Sequence, residues 1–329
     1  MNSNEALLVL NLGTPKSTEI ADVKDYLNGF LSDPYVLDTP GWIRTLLLKF
    51  VILPTRPKKT SEKYKKIWLP EGSPLLVHTI ALAKKWNSLL RKPLAVAMNY
   101  GDPSLEEALK MFESKGIHDI VVMPLFPQRA YATTESIKAR LKEFPQFRFD
   151  LIESFHDEDF FIAPLAQQVK SHKTESSHLI VSFHGIPIRH VKNEFPECGN
   201  CLENSECHSK GNNRCYLKQC HSTAELLAEK LRLKSDQWSI AFQSRFGSDK
   251  WTQPYILDVI EHLGKNGVKE ISVVCPSFVT DGLETLEEIG IELKHTFESK
   301  FGGKLDLIPC LNDNDLWARR SAEFLKNYF

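Results

Sequence analysis

Three groups of residues in this chain are of the right types and spacing to do chemistry. The first is His184, in Val181–Arg189, "VSFHGIPIR". A strand-forming run from His178 to Phe183 ends in His184-Gly185, and Pro187 forbids the strand from continuing. The imidazole therefore falls at the C-terminal lip of a parallel strand, where open α/β sheets bind their ligands. Imidazole accepts a proton near neutral pH and, when neutral, ligates iron; the plainer alternative is a structural histidine hydrogen-bonded by its neighbours. The second group is Asp281, Glu284 and Glu288 in "DGLETLEE". If this stretch is helical, spacings of three and four put the carboxylates on one face, where like charges four apart cost roughly 0.2–0.5 kcal/mol. An acidic first turn favoured by the helix dipole is the plainer reading. The third group is five of the seven cysteines, Cys198, Cys201, Cys207, Cys215 and Cys220, spaced C-x2-C-x5-C-x7-C-x4-C. In a reducing compartment such clustering points to a metal rather than to disulfides. The "GNN" filler at 211–213 suits a loop folded around that metal, His208 and His221 leave a mixed-ligand site open, and unligated surface thiols are the plainer reading.

The elements that must position these groups alternate. Eight strand-like segments are predicted: Leu7–Leu12, Leu94–Met98, Ile120–Leu125, Phe149–Phe155, His178–Phe183, Trp238–Gln243, Ile271–Cys275 and Leu305–Pro309. Between them lie segments of helical period such as Ser104–Lys115, Thr134–Lys142, Thr223–Leu233 and Thr252–Leu263. This order predicts an α/β protein with parallel sheets flanked by helices on both faces. Four strands precede residue 165 and four follow it, which predicts two doubly wound domains with the site in the cleft between them. Residues 1–165, joined by a returning helix at 311–329, would form the first; residues 166–310 would form the second and carry the cysteine-rich segment 198–220.

At 329 residues and 42% hydrophobic content the chain can build two ordinary cores. A formal charge of -1 with no basic stripe argues against nucleic-acid partners. The N-terminus has no secretory pattern, so a cytoplasmic location is expected. No apolar run reaches the roughly 20 residues that span a bilayer. The nearest, Trp42–Leu53, is broken by Arg44 and Lys49; it is expected to be a buried helix covering a cleft, the alternative being a lip that meets a membrane surface or an apolar substrate, giving peripheral membrane contact. The first strand is not followed by G-x-G-x-x-G, and there is no G-x-x-x-x-G-K-[ST] or G-x-S-x-G, which argues against dinucleotide, nucleoside triphosphate and α/β-hydrolase chemistry.

Longer words at the strand ends are more specific. "LLVLNLGTP", "FLSDPYVLD", "LPTRPKKTSEKYKKIW", "EGSPLLVHT", "NYGDPSLEEAL", "SFHGIP", "FQSRFGSDKWTQPY" and "FVTDGLETLEEI" follow one another from about residue 6 to 310. In these the chain resembles the ferrochelatases, which insert ferrous iron into a porphyrin to make haem. The resemblance implies two Rossmann-like (chelatase-like) domains with a four-stranded parallel sheet in each and the porphyrin between them. It places the catalytic pair, which would also meet the substrate iron, on His184 and Glu284, with Asp281 and Glu288 as a secondary proton or metal path. Leu12, Phe30, Gln243, Ser244 and Trp251 are expected to bind the porphyrin, and Arg56 a propionate or the lip. "YATTES" at Tyr131–Ser136, beside Arg129, offers a propionate site at a helix N-terminus, or simply a cap. Where many relatives carry a histidine, between Asp281 and Leu283, this chain has Gly282, so that side chain's role is missing.

The cysteine-rich segment is an insertion relative to simpler family members, and "YLKQCHSTAELL" from Tyr216 rejoins the pattern. Cys220 lies on the rejoined side, leaving Cys198, Cys201, Cys207 and Cys215 as the ligands of a 2Fe-2S cluster, which some ferrochelatases carry; structural zinc is the alternative. The implied reaction is Fe(II) insertion into protoporphyrin IX with release of two protons. Coproporphyrin III as substrate, a cobalt or nickel chelatase, and a non-catalytic iron–sulfur sensor or haem-binding relative are the competing readings.

Overall fold

The computed structural model describes residues 5–196, 212–247 and 249–329. Its contacts divide into two compact units, one of Met1–Leu125, Ala132–Glu153 and Asn312–Phe329, the other of Phe126–Tyr131 and Ser154–Leu311.

The first unit is built on β1 (Glu5–Gly13), β2 (Leu94–Tyr100), β3 (Asp119–Pro124) and β4 (Arg148–Leu151), all parallel, in the order β2-β1-β3-β4. Ala6 to Leu10 are almost wholly buried. A strand covered on both faces needs such an unbroken apolar run instead of alternation. Between β1 and β2 come α1 (Ile20–Ser32), α2 (Gly41–Leu47), a π-helical turn (Leu48–Ile52), α3 (Leu53–Ile67) and α4 (Pro74–Leu90). α5 (Leu105–Glu113) follows β2 and starts at a capping box in which Ser104 and Glu107 satisfy each other's backbone N–H groups. A second π turn (Tyr131–Glu135) leads into α6 (Ser136–Leu141).

β4 stops earlier than the sequence predicts. Only Ile152 continues its hydrogen bonding, to the Val122 carbonyl. From Ser154 the chain belongs to the second unit, where Phe155 packs edge-on against Phe161.

The second unit repeats the strand order of the first. Here β5 (His178–His184), β6 (Trp238–Gln243), β7 (Glu270–Val274) and β8 (Lys304–Leu307) pair in parallel as β6-β5-β7-β8. Its helices are α7 (Asp159–His172), α8 (Ile188–Glu194), α9 (Tyr216–Leu231), α10 (Ile256–Lys265), a π-helix (Leu283–Leu293) and α11 (Lys294–Phe301). A break at residue 165 would cut α7 in two.

The last helix, α12 (Asp315–Leu325), returns to the first unit. The Asn314 side chain caps it by accepting from the Leu316 and Trp317 N–H groups. Trp317 then packs against Trp86 at 6.3 Å between ring centroids, and the Trp86 indole donates to Ser321 Oγ at 2.8 Å. An aromatic pair of this kind adds about 0.5–1.5 kcal/mol beyond the area it buries.

The apolar stretch Trp42–Leu53 is not a buried helix. Trp42 is 70% exposed and Phe50 65%, Leu46 and Val51 stand out beside them, and Leu48 alone is buried between Trp42 and Val51. Arg44 explains part of this, since its guanidinium turns back to the Leu37 and Thr39 carbonyls and so holds the segment as a projecting turn.

Candidate active site

In the second unit the chain runs out along β5, back to the next strand β6 on one side, and later to β7 on the other. The ends of β5 and β7 therefore bracket the place where the winding reverses, the favoured ligand position in open α/β sheets. His184 is the last residue of β5 and is half-buried. Its ring meets Phe278 edge-on at 6.1 Å.

The backbone around His184 is held from three directions. On the β6 side His184 is in register with Gln243, and the Gly185 N–H donates to the Gln243 carbonyl at 2.8 Å. On the β7 side the ladder ends at Val181 opposite Val274. Beyond it the His184 N–H donates to Ser277 Oγ at 3.2 Å, and the Tyr216 hydroxyl donates to the His184 carbonyl at 2.6 Å. Gly185 has to be glycine, because a Cβ there would lie 2.6 Å from the Gln243 carbonyl oxygen and 3.3 Å from the Trp251 ring. Trp251 itself is buried behind this turn and pairs with Pro187.

The carboxylates arrive on the π-helix Leu283–Leu293, whose i→i+5 hydrogen bonding is uncommon and recurs at functional sites. Glu284 and Glu288 are half-buried on it. Glu288 is latched to the end of β6, accepting from the Ser244 N–H at 2.7 Å and from Ser244 Oγ at 2.6 Å. Ser244 takes a left-handed φ of 66 to do so, a conformation that a non-glycine residue holds only when its neighbours fix it. Gln243, 1% exposed, donates to the Glu284 carbonyl at 2.7 Å and accepts from the Ser182 hydroxyl at 2.7 Å.

Asp281 is not part of this acidic face. It is buried ahead of the helix, where its carboxylate accepts from Thr285 Oγ1 at 2.9 Å and from the Cys310 N–H at 3.2 Å. The i,i+3 geometry expected of it does not arise, because the helix begins at Leu283 and Gly282 is extended. Cys275 and Cys310 lie near it, and burial followed by the Asp281 charge pushes both thiols well above their usual range. Both are thereby held in the thiol form.

The remaining expected residues are spread over the two units. Leu12, Phe30 and Arg56 are each half-buried in the first. Phe30 meets Tyr100 edge-on at 5.2 Å, beside a carboxylate, Asp33, that accepts from the Tyr100 hydroxyl at 2.6 Å and from Ser136 Oγ at 2.5 Å. Ser136 is thereby spent, and Tyr131–Glu135 forms a π turn and not the N-terminus of an ordinary helix. Arg129, in the second unit, is buried and ion-paired with Glu194, so it does not serve an exposed propionate.

Of the cysteines, Cys198, Cys201 and Cys207, together with His208, lie outside the described residues. Cys215 is buried immediately ahead of α9. Cys220, a turn into that helix, is wholly buried with its thiol against the Tyr216 hydroxyl, and burial raises its pKa well above the usual value. Among the described residues no three His, Cys, Asp or Glu side chains gather as a metal site.

Sequence reasoning missed Ser182, Tyr216, Ser277 and Thr285. Their hydroxyls act only through the fold, and the one available signal was that the "CPSF" and "CYLKQC" words sit at strand and helix ends.

The family profile described as Ferrochelatase matches residues 4–327. The chain is 38% identical to the ferrochelatase of Stutzerimonas stutzeri (strain A1501), covering 96% of each. It is also 38% identical to that of Coxiella burnetii (strain RSA 493 / Nine Mile phase I), over 99% of this chain and 94% of the relative. Among solved structures, SirB from Bacillus subtilis with Fe3+ superposes at a TM-score of 0.57, with 11% identity, over 98% of this chain and 95% of SirB, a likeness of fold.

Proposed function

This chain belongs to the ferrochelatase family, the enzymes of haem synthesis that insert a metal ion into porphyrin, and we propose that it inserts Fe(II) into protoporphyrin IX with His184 and Glu284 as the reacting groups. The observation that carries this reading is the arrangement in the second unit. The residue that carries the imidazole at the end of β5 and the one that carries a carboxylate on the π-helix are both held by Gln243 of β6. Its carbonyl accepts the Gly185 N–H, and its side-chain amide donates to the Glu284 carbonyl.

A free porphyrin must lose two pyrrole N–H protons as Fe(II) enters, so the site needs a group that accepts a proton and one that balances the metal's charge. Neutral imidazole accepts the proton at its free ring nitrogen. The Glu284 carboxylate offers oxygen to the incoming iron and then a path for protons outward. Glu288, latched by Ser244, continues that path. Phe30, Leu12 and Trp251 supply apolar surface for the macrocycle, and Arg56 a cation for a propionate.

Cys198, Cys201, Cys207 and Cys215 would hold a 2Fe-2S cluster. The donor set is chemically suited to it, and Cys220 is left out because it lies on the side of the insertion that rejoins the family pattern. Four thiolates also suit zinc. A cluster supplies one-electron redox chemistry; none of the steps above passes through it. Loss of both cluster and activity in Cys201→Ser would make iron insertion depend on iron–sulfur supply, whereas full activity without the cluster would sink that dependence.

No helix among the described residues is long and apolar enough to cross a membrane. The exposed Trp42, Leu46, Phe50 and Val51, with Lys49 among them, serve instead as a peripheral contact from the cytoplasmic side.

The test is an absorption spectrum of anaerobically purified protein, then Fe(II) and protoporphyrin IX in the same cuvette. Charge-transfer bands that bleach on reduction, followed by conversion of the free-base spectrum to haem, are expected. Turnover of coproporphyrin III alone would reassign the substrate. A colourless, active protein moves the cysteines to zinc; a coloured protein inert to both porphyrins makes it a sensor.

A further inference from the structure

The hydroxyls that meet the backbone of His184 form a closed ring. The His184 N–H donates to Ser277 Oγ, the Tyr216 hydroxyl donates to the His184 carbonyl, and the two hydroxyl oxygens lie 3.2 Å apart. Donor capacity fixes the direction of that third bond. The one Tyr216 proton is engaged at 2.6 Å by the carbonyl, so Ser277 must donate to Tyr216 Oη. Each donor is used once, in the order His184 N–H, Ser277, Tyr216, His184 carbonyl.

The ring stands where the sheet gives out. His184 lies past the last β5–β7 pair, Val181 with Val274, so strand pairing no longer orients its peptide groups on that side. Two side chains from separate elements take over the role, Ser277 from the turn after β7 and Tyr216 from the first position of α9. Tyr216 is buried, and its hydroxyl faces a carbonyl that can only accept, so the tyrosine is the donor. Linked hydrogen bonds in a water-poor site reinforce one another.

We infer that Tyr216 and Ser277 are positioning residues for iron insertion, which clamp the His184 peptide at both ends and so aim the imidazole at the porphyrin. The inference rests on His184 being the reacting group. Neither residue touches the substrate; each acts by holding the direction of the His184 Cα–Cβ bond.

Tyr216→Phe and Ser277→Ala each open the ring while keeping most of the packing, and Ser277→Thr keeps it closed. In steady-state metallation of protoporphyrin IX by the full chain, the two opening variants are expected to lower kcat on the order of 10- to 100-fold with the porphyrin KM unchanged, and Ser277→Thr to restore it. A merely structural role is separated by a double-variant comparison. In a His184→Ala background Tyr216→Phe should cost nothing further in kcat, because the clamp has nothing left to aim. Multiplicative losses there, or a rise in KM with kcat intact, overturn the inference.

A second readout needs no turnover. In an NMR titration of histidine-labelled protein, Tyr216→Phe and Ser277→Ala should shift or broaden the His184 ring signals and leave those of His178 in place. Unchanged His184 signals in both variants overturn the clamp whatever the activity. A wild-type protein that metallates neither porphyrin overturns the functional reading instead, with the ring still judged by its own signals.

Discussion

Gln243 Nε2 donates to the backbone carbonyl of Glu284 at 2.7 Å, while the Gln243 carbonyl accepts the N–H that follows His184. The two groups assigned to the reaction are therefore spaced by one buried amide side chain and its own backbone. Replacing Gln243 by Leu removes this link and leaves the Ser182 hydroxyl and the Glu284 carbonyl without their partner. A buried polar group left this way costs about 1–3 kcal/mol, so urea unfolding should show a loss of that order, with iron insertion falling further than the stability change explains.

Glu284 and Glu288 should separate cleanly. Glu288 is bound by two groups of Ser244, and Glu288→Ala is expected to destabilise the protein by about 1–3 kcal/mol with partial activity. Glu284→Gln should leave the unfolding midpoint nearly unchanged and lower kcat by on the order of 100-fold or more. The reverse pattern in paired unfolding and turnover measurements would assign the two carboxylates the other way round.

At Gly185 no side chain fits. Gly185→Ala drives a methyl into the Gln243 carbonyl and the Trp251 ring, and overpacking of this kind costs about 1–3 kcal/mol. A thermal melt reports the loss, and a melt equal to wild type would show that the turn has room to shift.

Burial holds the His178 imidazole below its ordinary pKa, and the same is true of His156. A histidine whose folded pKa is depressed binds its proton more readily when unfolded. Its contribution to stability is therefore complete above about pH 6.5, the usual imidazole value, and declines as pH falls from there toward the folded pKa. Urea midpoints should drop between pH 7.5 and 5.5, and His178→Asn should flatten part of that slope. A midpoint that rises on acidification contradicts the assignment.

The projecting segment can be tested apart from the chemistry. A Trp42→Ser, Phe50→Ser double variant removes exposed groups only, so stability should stay within about 0.5 kcal/mol. Co-sedimentation with anionic phospholipid vesicles should fall several-fold. Equal sedimentation of variant and wild type would rule out this segment as the contact.

The strands were legible as short β-forming segments between helical ones. β1 and β5, central and covered on both faces, show unbroken apolar runs, whereas the edge strands β4 and β8 carry charged residues and are only partly buried. His184 was legible because Pro187 marks the strand end. What lay hidden depends on pairings far apart in sequence. The spacing of Glu284 and Glu288 reads the same for an α-helix and a π-helix, since the difference is in which carbonyl each N–H finds. Arg129 next to a hydroxyl-rich word looked available, and its pairing with Glu194 forms only once the second unit has folded. Gln243 and Ser244, expected to touch a porphyrin, also bond to the π-helix, Gln243 through its amide nitrogen and Ser244 through its N–H and hydroxyl. Exposure of the Trp42–Leu53 stretch was equally invisible, because composition records apolar content without saying which way it faces.

The return of α12 to Trp86 has a bearing on the order of synthesis. As the chain leaves the ribosome, the segments of the second unit are all available once residue 311 is out. The first unit still lacks Trp317, the ring that covers Trp86. Domains tend to fold as units during translation; here the half begun first is the half finished last, and Trp86 waits uncovered for more than two hundred residues of elongation. A released chain truncated after Leu311 should show a folded second unit and a first unit in which Trp86 lacks its covering ring.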